Sequence, residues 1–395
     1  MTVTMPPPVP TQDRGASSAP DAPAAPAASK RRRPRSPLWA KLTAGLGVLL
    51  VLTSGGGIAA GRVLISQTTG TIAKGDLTGD AAKTVAEGAD TGTLRGPIDM
   101  LLMGLDARAR WADGELHSDT IIILHIPAGH DRAYLISIPR DTEVRVPAFE
   151  PSGYPGGTAK ATEAFYWGAQ NGGGWTGGAQ LLAKTLKDLT GISFDGAAII
   201  NFGGFKNVID RLGGVRMCVD QQVTSRHMVR VDGTAMYLAD ARRTGKATKP
   251  VVHRVGCRDM AGWEALDYAR QRYGLKNGDY DRQRHQQQLI KAMAKKAASG
   301  GVLSNPLRIS GLIKAAGKSL VLDTGDVSIP DFVLGLKGVA ANDMVLLRTN
   351  DGTFAGNASG RETITEKSRA MYRAVQQDRL DEFLLANPDV VANEK

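Results

Sequence analysis

The chain has 395 residues, a formal net charge of +10, aromatics at only 5% and two cysteines. That length fits one large or two ordinary domains, and two cysteines leave no second pair to complete a four-ligand zinc site. The basic balance points to an anionic partner, whether nucleic acid, a membrane face or a phosphorylated substrate, and the position of the charge must decide among them.

Residues 1–29 are rich in Pro, Ala and Ser with no hydrophobic period, so residues 1–37 are expected to form a disordered tail. The cluster KRRRPR at 30–35 lies in this tail, where six Lys or Arg face two Asp, so four of the ten net charges sit there. Such a cluster alone would suit nucleic acid. It abuts an apolar run, however, and so serves membrane orientation better; no nucleic-acid partner is expected. From Leu38 to Ile65 the only charges are Lys41 and Arg62. The stretch LTAGLGVLLVLTSGGGIAA is about long enough to span a bilayer, which predicts a transmembrane anchor over 38–62. The preceding Lys and Arg predict a cytoplasmic N-terminus and a single-pass protein whose remainder lies outside the cell. The leader is longer than a cleaved signal peptide normally carries, which favours an uncleaved anchor. Outside the membrane thiols oxidise, so Cys218 and Cys257 are expected to form one structural disulfide.

Residues 63–96, rich in Thr, Gly, Asp and Ala, read as a stalk. A folded domain is expected over 97–300. Short apolar runs bounded by turn residues predict strands at Ile98–Leu105, Asp119–Ile126, Ala133–Ile138, Phe194–Phe202 and Val215–Val219. Helical periodicity predicts helices at Thr176–Leu189 and Phe205–Leu212. The alternation gives an α/β fold, a central mixed sheet flanked by helices. The basic segment 220–256 reads as irregular. Residues 301–395 read as a mostly helical extension, with helices near 305–318 and 329–338, a strand at Met344–Arg348 and a last helix from Thr363 to about Leu385.

The densest chemistry lies in Glu264–Lys291, which holds Arg270, Arg272, Arg282 and Arg284 with His285 and three glutamines. An arginine fork matches phosphate oxygens two at a time and never loses its charge. Trp263–Tyr268 reads as a short helix, Gly274 to Asp279 as a loop, and the chain from Arg282 as helix again. Arg282 and Gln286 are one turn apart and share a face. Arg270 and Arg272 point the same way only if the backbone between them is extended. Elsewhere, polar residues end three strands: Asp106 after the first, Asp119 at the start of the second, and Pro139-Arg140-Asp141 after the third. Open α/β sheets place their sites at strand ends. Asp106 and Asp119 together form a candidate Mg²⁺ pair, with water and phosphate oxygens completing the shell. Asp141 is expected simply to pair with Arg140.

These motifs together, MGLD at 103–106, HSDT at 117–120, SIPRDT at 137–142, GGV at 213–215 and ALDYARQR followed by DYDRQRHQ, resemble the LytR–CpsA–Psr (LCP) family of bacterial cell-envelope proteins. The resemblance covers about residues 97–300 and implies a three-layer α-β-α catalytic domain. It implies transfer of a glycopolymer from a polyprenyl pyrophosphate carrier to peptidoglycan, a phosphotransferase activity. By family motif, Asp106 and Asp119 would sit at Mg²⁺ and the pyrophosphate, with Asp106, Asp119 and Arg140 as catalytic groups. Arg140, Arg270, Arg272, Arg282 and Gln286 would grip the pyrophosphate, and an apolar cavity under the sheet would take the lipid. The chain departs from the pattern at His117 and His285, where many members carry Arg, and Arg284, Arg108 or Arg110 would have to compensate. Lys160 matches a family lysine, without the asparagine that accompanies it. Two other readings use the same site: a membrane-anchored regulator that holds lipid pyrophosphate without turnover, and a polyprenyl pyrophosphatase with water as acceptor. The motifs do not specify the polymer, teichoic acid or another.

Overall fold

The computed structural model describes residues 73–83, 96–106, 116–302, 305–325, 339 and 344–392. In chain order the strands are β1 (Ala73–Lys74), β2 (Ile98–Leu105), β3 (Ser118–Ile126), β4 (Ala133–Ser137), β5 (Glu143–Val146), β6 (Gly157–Lys160), β7 (Gly196–Asn201), β8 (Val215–Val219), β9 (Val223–Val231), β10 (Thr234–Tyr237), β11 (Lys249–His253), β12 (Gly256–Met260), β13 (Leu320–Asp323) and β14 (Met344–Leu347). The helices are α1 (Ala161–Ala169), α2 (Gly174–Thr190), α3 (Phe202–Arg211), α4 (Leu238–Thr244), α5 (Gly262–Arg270), α6 (Asp279–Ser299), α7 (Pro306–Ala316), α8 (Glu366–Gln376) and α9 (Leu380–Ala386).

A seven-stranded mixed sheet runs β1-β13-β7-β2-β3-β4-β14. Side chains alternate across a strand, and the central strands are apolar at nearly every position, so both faces need cover. Leu101, Met103 and Leu105 of β2 pack with Phe165 of α1, Leu182 of α2 and Tyr372 of α8. On the other face Ile98 and Met100 pack with Ile122 and Ile126, and Ile290 and Ala294 of α6 lie against them. The result is three layers, helices over both faces of one sheet. Helix α1 and helix α2 approach closely: a Cβ at Gly168 would fall 2.3 Å from the Gly177 carbonyl oxygen. Helix α2 stops where Gly191 takes a left-handed conformation at φ 73.

The structure corrects four expectations. The stalk does not extend through residues 73–83. There β1 pairs in parallel with β13, Leu77 and Ala81 are fully buried, and the Lys83 ammonium bridges Asp99 at 2.9 Å and Asp195 at 2.5 Å. Nor are residues 301–395 an appended helical extension. β13 and β14 pair with β7 and β4, covering backbone that would otherwise be an open sheet edge, and Met371, Tyr372 and Val375 of α8 complete the core. The segment 220–256 is not irregular: β10, β9 and β11 form their own antiparallel sheet. The last helix is two, α8 and α9, separated where Asp378 adopts a positive φ of 51.

Cys218 and Cys257 are bonded, directly opposite each other on the antiparallel pair β8–β12. Among the described residues no helix is long and apolar enough to cross a membrane. The tail, the span at 38–62 and the helix near 329–338 lie outside the described residues.

Candidate functional site

Strand register assembles the site. On β2 and β3, Gly104 lies opposite Thr120 and Leu105 opposite Ser118, so Asp106 and Asp119 arrive at one end of adjacent strands. A Cβ at Gly104 would meet that of Thr120 at 2.8 Å, so glycine lets the strands close up there. On β3 and β4, Ile122 faces Ser137; continuing that register brings Arg140 to Asp119, and the Arg140 guanidinium donates to the Asp119 carboxylate.

Helix α6 supplies the second arginine from its first turn. Arg282 is 6% exposed. Its Nη2 donates to the Asp119 carbonyl oxygen at 2.9 Å and pairs with Asp279 at 2.9 Å. Asp279 also faces Arg140 Nε at 3.8 Å, so one acid stands between two guanidinium groups. Burial works against the Arg140 charge, but Asp119, Asp279 and Asp141 outweigh it and raise its pKa above the ordinary arginine value. For Arg282 the balance goes the other way. Burial pushes its pKa down, Asp279 opposes, and the neighbouring charges of Arg140 and Arg272 push it further down. The Nε atoms of Arg140 and Arg282 are buried without a hydrogen-bond partner. Buried polar groups normally find one, so this cluster has donors to spare for an anion.

Arg270 comes from the last residue of α5 and Gln286 from α6, while Arg272 lies in the segment that follows α5. Helix α5 ends at Arg270, and Gln271 is extended at φ −68, ψ 135. Gln271 turns inward and donates to the Asp267 carboxylate at 3.0 Å. Arg270 stacks over the Phe202 ring at 3.9 Å and donates to Asp106 at 2.9 Å. Arg272 lies 4.8 Å over the Tyr273 ring and donates to its hydroxyl at 2.9 Å. Arg270 and Gln286 both line a cavity of about 200 Å³ between the sheet and helices α3, α5 and α6, otherwise walled by residues such as Leu102, Ile122, Ile200, Leu289 and Met293. A charged rim on an apolar cavity suits a molecule with an anionic head and a hydrocarbon chain.

Some expected residues belong elsewhere. Arg284 pairs with Asp220 and Asp281, and His285 is buried with Nε2 at 2.9 Å from both Asp220 and the Tyr268 hydroxyl. Neither can replace a phosphate-binding arginine; Arg108 and Arg110 lie outside the described residues. His117 stacks on Tyr166, ring centroids 5.1 Å apart. Asp141 takes Lys160 as its nearer partner, 2.8 Å against 3.6 Å for Arg140, because the β5–β6 hairpin returns Lys160 to that point. Asp279, read from sequence as a loop residue, is the acid that couples Arg140 to Arg282. Its signal was an acid at a helix start three residues before an arginine. Among the described residues no group of three or more His, Cys, Asp or Glu is placed to hold a metal.

The profile of the LytR_cpsA_psr family matches residues 64–383. The cell wall biosynthesis protein LcpA of Corynebacterium glutamicum is 27% identical in an alignment of 372 positions that covers 88% of this chain and 66% of LcpA. The chain thus spans just under two thirds of that relative's length. The polyisoprenyl-teichoic acid–peptidoglycan teichoic acid transferase TagT of Bacillus subtilis is 25% identical over 79% of this chain and 87% of its own. Among solved structures, protein gbs0355 from Streptococcus agalactiae superposes with a TM-score of 0.54 at 22% identity, covering 72% of this chain and 88% of that one, a likeness of fold. The family's profile begins before the β1 strand and ends within α9, so it takes in the edge strands and the C-terminal helices as well as the arginine cluster: this chain is a member of the LytR_cpsA_psr family.

Proposed function

We propose that the protein transfers a glycopolymer from a polyprenyl pyrophosphate carrier to peptidoglycan, leaving a phosphodiester link. The observation that carries this is the convergence of Arg140 and Arg282 on Asp119 and Asp279, beside an apolar cavity rimmed by Arg270 and Gln286. The names of the relatives, cell wall biosynthesis protein and teichoic acid transferase, support the class of reaction.

Phosphoryl transfer needs charge neutralisation and alignment more than covalent help. Arg140 and Arg282 grip the diphosphate, and the cavity takes the first isoprene units. The acceptor hydroxyl oxygen forms a bond to the phosphorus that bears the glycan. That phosphorus loses its bond to the bridging oxygen, whose electron pair leaves with polyprenyl phosphate, steadied by Arg270 and Arg272. The hydroxyl proton passes to a carboxylate of the Asp106–Asp119 pair. Mg²⁺ suits this donor set, since it takes one or two carboxylates with water and phosphate oxygens; Asp106 and Asp119 would hold it, and it would supply charge neutralisation at the phosphates. Each of those acids already faces an arginine, Asp119 with Arg140 and Asp106 with Arg270, so holding the ion would require each to exchange that arginine for it. The reading places the protein in the cell membrane by a single N-terminal span with its catalytic domain outside, where a disulfide such as Cys218–Cys257 persists.

The test is polymer linkage to peptidoglycan by the Arg140→Ala and Arg270→Ala variants. Removing one preorganised charge contact is expected to lower linkage about 100-fold or more. Wild-type linkage in both variants contradicts the assignment.

A further inference from the structure

The donor reading leaves a second cavity unused. It measures about 500 Å³ and is lined by Asp141, Lys160, Glu163, Phe354, Arg361 and Glu362 among others. It adjoins the arginine cluster through Asp141, whose carboxylate lies 3.6 Å from Arg140 Nε and 2.8 Å from Lys160 Nζ. A second connection runs through α6. Tyr280, two residues before Arg282, donates to the Glu362 carboxylate. Asn350 donates to the Tyr280 hydroxyl at 3.0 Å and to the Thr363 carbonyl at 2.7 Å, which fixes the 353–362 loop to the helix that carries Arg282. The opposite wall is fixed as firmly: Glu143 N–H donates to the Glu362 carbonyl at 2.8 Å, and the Glu143 carboxylate accepts from Asn357 at 3.0 Å and pairs with Arg361 at 2.6 Å. The cavity is therefore held in shape by the elements that shape the arginine site.

Its chemistry differs from that of the donor site. Acids outnumber bases on its lining, so a pyrophosphate is repelled, and its polar walls give a lipid chain no apolar enclosure. Carboxylates accept hydrogen bonds from hydroxyls, Lys160 and Arg361 donate to ring and carbonyl oxygens, and Phe354 presents an aromatic face that is 62% exposed. Polar groups of both kinds around a single aromatic face recognise a sugar ring, which has hydroxyls at its edge and C–H bonds on its face. Glu362, 6% exposed and braced by Tyr280, is a fixed acceptor at the inner end.

We propose that this cavity is the acceptor subsite, in which a neutral sugar of the receiving glycan strand stacks on Phe354 and is directed past Asp141 towards the phosphate held by Arg140 and Arg282. The assignment rests on the transfer reading and adds the place of the second substrate. It separates the two binding groups by charge, the diphosphate of the donor on the arginines and a neutral sugar of the acceptor strand among acids.

The test uses the full chain in detergent, with a glycan linked to geranylgeranyl pyrophosphate as donor and uncross-linked glycan strands of N-acetylglucosamine and N-acetylmuramic acid as acceptor. The variants are Phe354→Ala, Phe354→Tyr and Glu163→Gln. Loss of one stacking contact is expected to raise the apparent KM for the strands about tenfold in Phe354→Ala. Phe354→Tyr, which keeps the ring, is expected to stay near wild type, and Glu163→Gln to show a smaller rise. Retention of geranylgeranyl pyrophosphate is expected to be unchanged in all three. An unchanged acceptor KM in Phe354→Ala overturns the proposal, as does a parallel loss of lipid retention. If the wild-type protein transfers nothing, the transfer reading fails by itself. Direct binding of the same strands then decides the cavity: binding weakened by Phe354→Ala upholds the sugar site, and binding indifferent to it, or none, overturns it.

Discussion

A buried arginine such as Arg282 needs a reason, because removing a charge from water costs more than an ordinary ion pair returns. Asp279 and the Asp119 carbonyl meet part of that cost, and an anionic ligand would meet the rest. The motif residues could be read from sequence because arginine chemistry is independent of fold; their counter-ions could not, because Asp279 and Lys160 acquire their partners only through a helix start and a hairpin return. His285 shows the same limit. Its place in the arginine motif suggested a weakened phosphate contact, whereas its ring lies in a separate buried network with Asp220 and Tyr268. Burial, ahead of the opposing pull of Asp220, holds its pKa below the ordinary histidine value. The unfolded chain takes up this proton near pH 6.5 and the folded chain resists it. This contribution to stability is therefore full above about pH 6.5 and is lost as pH falls from there towards the folded pKa. The urea midpoint is expected to drop between about pH 7.5 and pH 5.5, and His285→Gln to show a shallower drop. Equal slopes in the two proteins contradict the assignment.

At the scale of elements, the strands that could be read were those with short apolar runs bounded by turn residues, β2, β3, β4, β7, β8 and β14. Strand β9 escaped because its buried positions, Val223, Ser225, Met228 and Val231, break the period of two and include a serine, and its partner β11 shifts register between Pro250 and Val252. Strand β13 has only four residues, and the break between α8 and α9 falls at Asp378, where neither Gly nor Pro marks it. The β8–β12 pair was half legible: its cysteines were expected to bond, but β12 was not expected as a strand. The bond joins residues 39 apart in sequence, so it closes a loop long enough to restrict the unfolded chain. Cys218→Ser with Cys257→Ser is expected to cost about 2–4 kcal/mol by chemical denaturation. Because the pair lies outside the arginine cluster, transfer below the unfolding temperature is expected to persist. A loss of transfer without a loss of stability contradicts that separation.

For the folded unit as a whole, the expected boundaries at 97 and 300 were too tight, since β1, β13, β14 and α8 are integral to the sheet and its core. Sequence alone marked them as stalk and extension because β1 and β13 are too short to show a period, and because the pairing of β14 with β4 and the packing of α8 on the core are long-range contacts that no local pattern carries. Inside that unit the arrangement is directional. An apolar cavity meets a cationic rim at the ends of β2 and β3, and a polar cavity adjoins the same arginines through Asp141. The most direct measurement is a crystal structure of residues 73–392 soaked with geranyl pyrophosphate. The diphosphate is expected between Arg140 and Arg282, with the isoprenoid entering the cavity beside Leu102 and Ile200; a diphosphate bound elsewhere, or a chain that leaves this cavity empty, contradicts the account.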